Sequence, residues 1–195
     1  MRFAHAAAAV AVTAVAFAMS AGCSEPVPVS ADGAFFLATI QDDPLKCSHA
    51  GHTVQVGAVD SVQKTTVIID GTDQITVDCN VVSLKESGAP FKVQGKIDAQ
   101  LKSGNYMEIA IPSISPSATA DAPAAGSIVF SDPKTAGQPY SGSCDFYFEQ
   151  KNQTVADGRI WVSFKCDALT SGMSTCPLKQ GYAIFENCLT LNGDE

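Results

Sequence analysis

Charge is scarce in this chain. Charged residues make up 16% of it, against ~25% in an average soluble globular protein. Basic residues are scarcer than acidic ones, 12 Lys and Arg against 20 Asp and Glu, for a net charge of −8. An acidic surface with no Lys/Arg stripe repels phosphate backbones, so nucleic acid is excluded as an expected partner. No block of like charges marks a disordered tail. Histidine is nearly absent: after residue 22 there are only His49 and His52, so any Ser-His-Asp triad must recruit one of them. No Gly-x-Ser-x-Gly elbow presents a serine, and no His-Glu-x-x-His, Cys-x-x-Cys, phosphate loop or dinucleotide fingerprint occurs. No cofactor is expected. The longest apolar run also falls short of a membrane span, which needs ~20 residues.

That run nevertheless has a recognisable place. Met1-Arg2-Phe3-Ala4-His5 is a short basic start, and Ala6 to Met19 is a run of 14 residues with Thr13 its one polar member. A core of this length suits an export signal. Ser20-Ala21-Gly22-Cys23 follows, three small residues that fit a narrow peptidase cleft and then a thiol that can be acylated. The segment resembles the lipobox of bacterial lipoproteins, with Ser20 where that pattern prefers Leu. The resemblance implies that residues 1–22 are cleaved and that Cys23 carries a diacylglyceryl thioether and an acylated (palmitate-type) amine. Several chains at ~0.8 kcal/mol per buried CH₂ hold firmly to a bilayer. Cleavage removes Arg2 and no acid, so the mature balance is 11 − 20 = −9. Ser24 in place of Asp resembles an outer-membrane sorting context in bacteria with two membranes. Residues 23–33, with Pro26 and Pro28, read as a lipidated tether.

From residue 34 to 195 a single domain is expected, and its dominant pattern has period two. Phe91, Val93, Gly95, Ile97, Ala99 and Leu101 alternate with Lys92, Gln94, Lys96, Asp98 and Gln100. A half-buried strand gives this alternation, whereas a helix would scatter both sets around its circumference. Ser103-Gly104-Asn105 is a turn signal, and Met107, Ile109 and Ile111 continue the apolar face, so 91–111 reads as a long β-hairpin. Further strands are expected at 34–40, 53–59, 65–70, 74–82, 127–131, 143–150, 159–167 and 182–189. Asp70-Gly71-Thr72-Asp73 and Asp157-Gly158 supply turn chemistry. Residues 113–126 and 168–180 read as irregular loops. About ten short strands predict an all-β fold, an antiparallel β-sandwich or jelly-roll-like domain.

Setting Cys23 aside leaves Cys47, Cys79, Cys144, Cys166, Cys176 and Cys188. In an exported chain an even number reads as three disulfides, so the domain is expected to be disulfide-stapled. Cys79, Cys144 and Cys166 alternate in phase with apolar neighbours and should project inward. Six cysteines permit about 15 pairings; the pairing expected here is Cys47–Cys79, Cys144–Cys166 and Cys176–Cys188.

Candidate chemistry is thin. Cys47-Ser48-His49-Ala50-Gly51-His52, with Asp42-Asp43 nearby, gathers ligand-type residues, but zinc needs three or four at defined spacing. The expectation is a disulfide cysteine beside two exposed histidines and no metal. The turn at Asp70 lacks the twelve-residue loop and closing Glu of an EF-hand. Carboxylate pairs for glycoside hydrolysis are available among Glu86, Glu108, Glu149 and Glu186, yet alternation puts most of them on solvated faces. Trp161 falls on the face of Arg159, Ser163 and Lys165. An outward Trp beside basic residues could stack a sugar, and Tyr147 would make that patch credible if it lay beside Trp161; the expectation weighed against it is a second layer, with Trp161 covered by a loop.

Val67-Ile68-Ile69-Asp70-Gly71-Thr72-Asp73-Gln74, followed by the inward Cys79, resembles the opening of the mature domain in mycobacterial 19-kilodalton lipoprotein antigens. The resemblance spans about a dozen residues and implies a surface antigen with no assigned catalysis; the later segments and additional cysteines depart from that group. The expectation is therefore a lipid-anchored protein of the bacterial cell envelope, structural or contact-making and not an enzyme. Its partners would be the membrane through its anchor and envelope proteins or glycans. The alternatives are a carbohydrate- or ligand-binding module using Trp161, Tyr147 and Arg159, and a secreted hydrolase.

Overall fold

The computed structural model describes residues 30–31, 34–38, 47–48, 50–56, 58–59, 65–66, 68–85 and 89–190. The expected export signal, Cys23, His49 and Glu86 lie outside the described residues, as does the expected tether apart from 30–31. Along the described residues run β1 (Ser30–Ala31), β2 (Ala34–Ala38), β3 (His52–Val56), β4 (Ala58–Val59), β5 (Thr65–Thr66), β6 (Ile68–Ile69) and β7 (Thr76–Ser83). They are followed by β8 (Phe91–Ala99), α1 (Gln100–Ser103), β9 (Asn105–Ile114), β10 (Ala124–Ser131), β11 (Tyr140–Tyr147), β12 (Thr154–Ala156), β13 (Arg159–Ser171) and β14 (Ser174–Phe185). The fold is all-β and antiparallel.

One ten-stranded sheet carries the molecule, in the order β3-β2-β14-β13-β11-β10-β9-β8-β7, with β12 added beside β13. It curls into a nearly closed, barrel-like sandwich, and the seam is stitched by backbone. Val81 N donates to Leu189 O at 3.0 Å, Leu189 N to Cys79 O at 2.9 Å, and Gly158 N to Val81 O at 2.9 Å. Ser83 N adds a bond to Asp157 Oδ1 at 2.7 Å. These contacts cover much of the edge that β7 would otherwise expose, the usual hazard of an open sheet.

The alternation in β8 reports its environment faithfully. Phe91, Val93, Gly95, Ile97 and Ala99 are on the buried side while Lys92 and Gln94 face solvent. Gly95 is a packing requirement: a Cβ there would lie 2.5 Å from the Phe185 ring, which crosses from β14. Phe146 and Phe164, wholly buried, meet with ring centroids 5.6 Å apart. At about 25 cal/mol per Å² of apolar surface, such aromatics dominate the burial energy.

Three expectations need correction. Residues 168–180 are not an irregular loop: β13 and β14 run through them as a hairpin turning at Gly172, whose φ is +58°. Register shifts between Phe164 and Cys166 and between Cys166 and Leu169 break the period-two signal there. Leu101 does not continue the buried face of β8; it sits on α1 and is 83% exposed. The disulfides are Cys47–Cys176, Cys79–Cys188 and Cys144–Cys166, so only the last pair matches the expected map. The reason is topological. β2 and β3 add to the flank of β14, and the segment after β14 lies along β7, so cysteines 129 and 109 residues apart become neighbours.

Candidate functional site

The two cysteines nearest the histidines are drawn into structure. Cys47 is bonded to Cys176. Beside that bridge three hydroxyls interlock: Ser48 Oγ donates to Ser174 Oγ at 3.0 Å, Tyr140 OH donates to the same oxygen at 2.9 Å, and Ser48 N reaches it at 3.0 Å. Cys47 and Ser48 thus lie at the β13–β14 tip, and His52 lies toward the end of β10.

There His52, expected to be exposed, is instead drawn in against Asp132, because both its ring nitrogens find acceptors in the fold. Their side chains are 6% and 3% exposed, and Nε2 lies 2.9 Å from Oδ2. The other ring nitrogen, Nδ1, is 2.8 Å from the carbonyl of Ala50 and must donate to it. Asp132 Oδ1 accepts from Thr135 N at 2.7 Å, and Asp132 N is bonded to Thr135 Oγ1 at 3.1 Å, a capping box on a short 3₁₀ turn. Both ring nitrogens are therefore occupied by the fold, and neither faces a serine hydroxyl. A triad histidine needs one nitrogen for its orienting carboxylate and the other for the nucleophile. Asp70 is likewise occupied, accepting from Val77 N at 2.8 Å, and Asp73 pairs with Lys102. Among the described residues no group of three His, Cys, Asp or Glu could hold a metal ion.

The aromatic patch expected around Trp161 is partly covered. Arg159 is exposed and Trp161 half-buried, but Tyr147 keeps only 7% of its surface. A loop folds over this outer face, held by Gln153: its Oε1 accepts from Glu149 N at 2.6 Å and its Nε2 donates to Ser163 Oγ at 2.8 Å. Tyr147 lies opposite Ser163, whereas Trp161 lies opposite Thr154 of β12, so the two aromatics are diagonal and not directly paired. Trp161 Nε1 is buried without a hydrogen-bond partner.

A concavity with a polar lining lies elsewhere, on the outer face of β7, β8 and β9. Sequence reading passed over it as solvated surface, although the same alternation that placed the core also points these side chains outward. Asp78, Lys96 and Glu108 stand directly opposite one another across the three strands. With Asn80, Gln94 and Tyr106 they line a trough of about 490 Å³, walled by Leu189 from the seam segment. Tyr106 is held at both ends. Its hydroxyl donates to Glu108 Oε2 at 2.6 Å, and the Lys96 ammonium sits 5.8 Å from its ring centroid. Burial, then the bond to Glu108, then the charges of Glu108 and Asp98 push the phenol up to about 12.

Comparison with protein-family models, with curated proteins and with solved structures found no match.

Proposed function

We propose that the chain is a lipid-anchored, non-catalytic protein of the bacterial cell envelope, whose β-domain makes contacts and whose Cys23 carries the anchor. The observation that carries this reading is the cysteine census. All six cysteines from Cys47 to Cys188 are paired with one another. Pairing on that scale belongs to oxidising compartments outside the cytosol. It also leaves Cys23, directly after the apolar leader and three small residues, as the one cysteine outside the three bridges. The outer membrane is the proposed destination in a bacterium with two membranes.

The engagement of both His52 nitrogens argues against this residue as a triad histidine. A carbohydrate- or ligand-binding module is the second reading. The trough beside Tyr106 favours it more than the partly covered Trp161 does.

The test is metabolic labelling of the full chain in a bacterial host with an alkyne analogue of palmitate, followed by intact-mass measurement of membrane-extracted protein. The wild type is expected to carry label, to lack residues 1–22 and to have no free thiol. Cys23→Ser should lose the label and leave the membrane fraction. An unlabelled, cytosolic wild type with free thiols would overturn the proposal.

A further inference from the structure

We infer that the trough on β7, β8 and β9 binds a neutral saccharide. This deepens the contact role proposed above by naming a ligand class. It does not depend on the anchor, so a failure of acylation and a failure of binding are separate results.

The chemistry of the lining selects among ligand classes. Apolar ligands find little here: carbon surface comes from Leu189, 51% exposed, Ala110 and the Tyr106 ring, among mostly polar and charged side chains, whereas pockets for apolar ligands are lined mostly by hydrophobic residues. Polyanions meet two carboxylates, Asp78 and Glu108, on a chain whose net charge is already −8. Polycations meet Lys96, set in register between those carboxylates, so the row alternates in sign and presents no single field. Neutral polyols remain. The amide of Gln94 and the two carboxylates offer planar donors and acceptors that can pair with neighbouring hydroxyls. A leucine wall suits the carbon–hydrogen face of a sugar ring.

Size and order agree with this choice. About 490 Å³ falls within the usual 300–1,000 Å³ of small-molecule sites. The side chains project from paired strands, which position a site more accurately than loops do. Tyr106 is fixed before any ligand arrives by Glu108 at its hydroxyl and Lys96 over its ring, which lowers the ordering cost of binding.

The experiment uses the full chain, ¹⁵N-labelled, in a zwitterionic detergent without a sugar headgroup. Maltohexaose and cellohexaose are the neutral probes, with a chitosan hexamer and a hyaluronan hexamer as cationic and anionic controls. At least one neutral hexamer should shift amide resonances of β7, β8 and β9 in a saturable manner. Gln94→Ala with Glu108→Ala, both at solvent-facing positions, should weaken that binding by about tenfold while leaving core resonances in place. The inference is overturned if neither neutral probe binds at about 10 mM. Shifts confined to other strands, or binding by the charged hexamers alone, would also overturn it.

Discussion

His52 Nε2 and Asp132 Oδ2 lie 2.9 Å apart between two nearly inaccessible side chains, and each has a second bond that fixes its direction. Deleting either partner strands a buried polar group, a change that costs about 3 kcal/mol or more. His52→Ala should therefore lower the unfolding free energy by about 3 kcal/mol in urea titrations. A loss below about 0.5 kcal/mol would mean that the pair is dispensable. Tyr106 gives a prediction in alkaline solution. Its phenol titrates near 12 in the folded chain against 10.0 in a model compound, and Tyr147 and Tyr182 are raised as well, chiefly by burial. Below pH 10 both folded and unfolded chains keep these protons, so stability is unaffected. Between pH 10 and 12 the unfolded chain ionises first, and stability must fall as pH rises. Tyrosinate absorbance should show at least one phenol titrating near 12, and Glu108→Gln should move it downward. Sequence alternation put Trp161 and Tyr147 on the outer face and allowed for a loop over Trp161, but it did not single out residues 149–153 as that loop. Coverage by a loop is a tertiary event with no local signature.

Strand identity was the most legible property at the scale of elements. β8 and β9 follow their alternation almost residue by residue because one face is buried and the other wet. β13 and β14 were half-seen for the opposite reason. Bulges near Cys166 shift the phase, and the strand pair then passes Ser163, Tyr147 and Ile184, which are buried although they point away from the main core. Face-to-face packing of the two layers is tested at Gly95. Valine there needs space that the Phe185 ring fills, and overpacking of this kind costs about 1–3 kcal/mol. The urea midpoint of Gly95→Val should fall accordingly, and Phe185→Leu in the same chain should recover part of the loss. Simple addition of the two penalties would show that the layers do not meet there.

At the scale of the molecule, fold class was readable from strand count and turn chemistry, while topology was not. Nothing local announces that an amino-terminal pair of strands will join the flank of the last strand, or that residues 188–189 will lie along β7. The disulfide map depends on that arrangement, which is why the expected pairing failed for four of six cysteines. Each bridge is worth about 2–4 kcal/mol, the more so for long loops. Replacing Cys79 and Cys188 by Ala is therefore expected to lower stability by about 2–4 kcal/mol and to raise hydrogen exchange first along β7 and the turn at Gly158. Uniform exchange throughout the chain would mean that the seam is not a local unit.

The same cross-links govern how the molecule bears tension. A pull on its two ends runs through the Cys47–Cys176 bond and then only 188 − 176 = 12 residues to Cys188, bypassing most of the sheet. Drawn by flow or by a departing partner, the fold can surrender slack outside these covalent short cuts, but it cannot be reeled out like a thread.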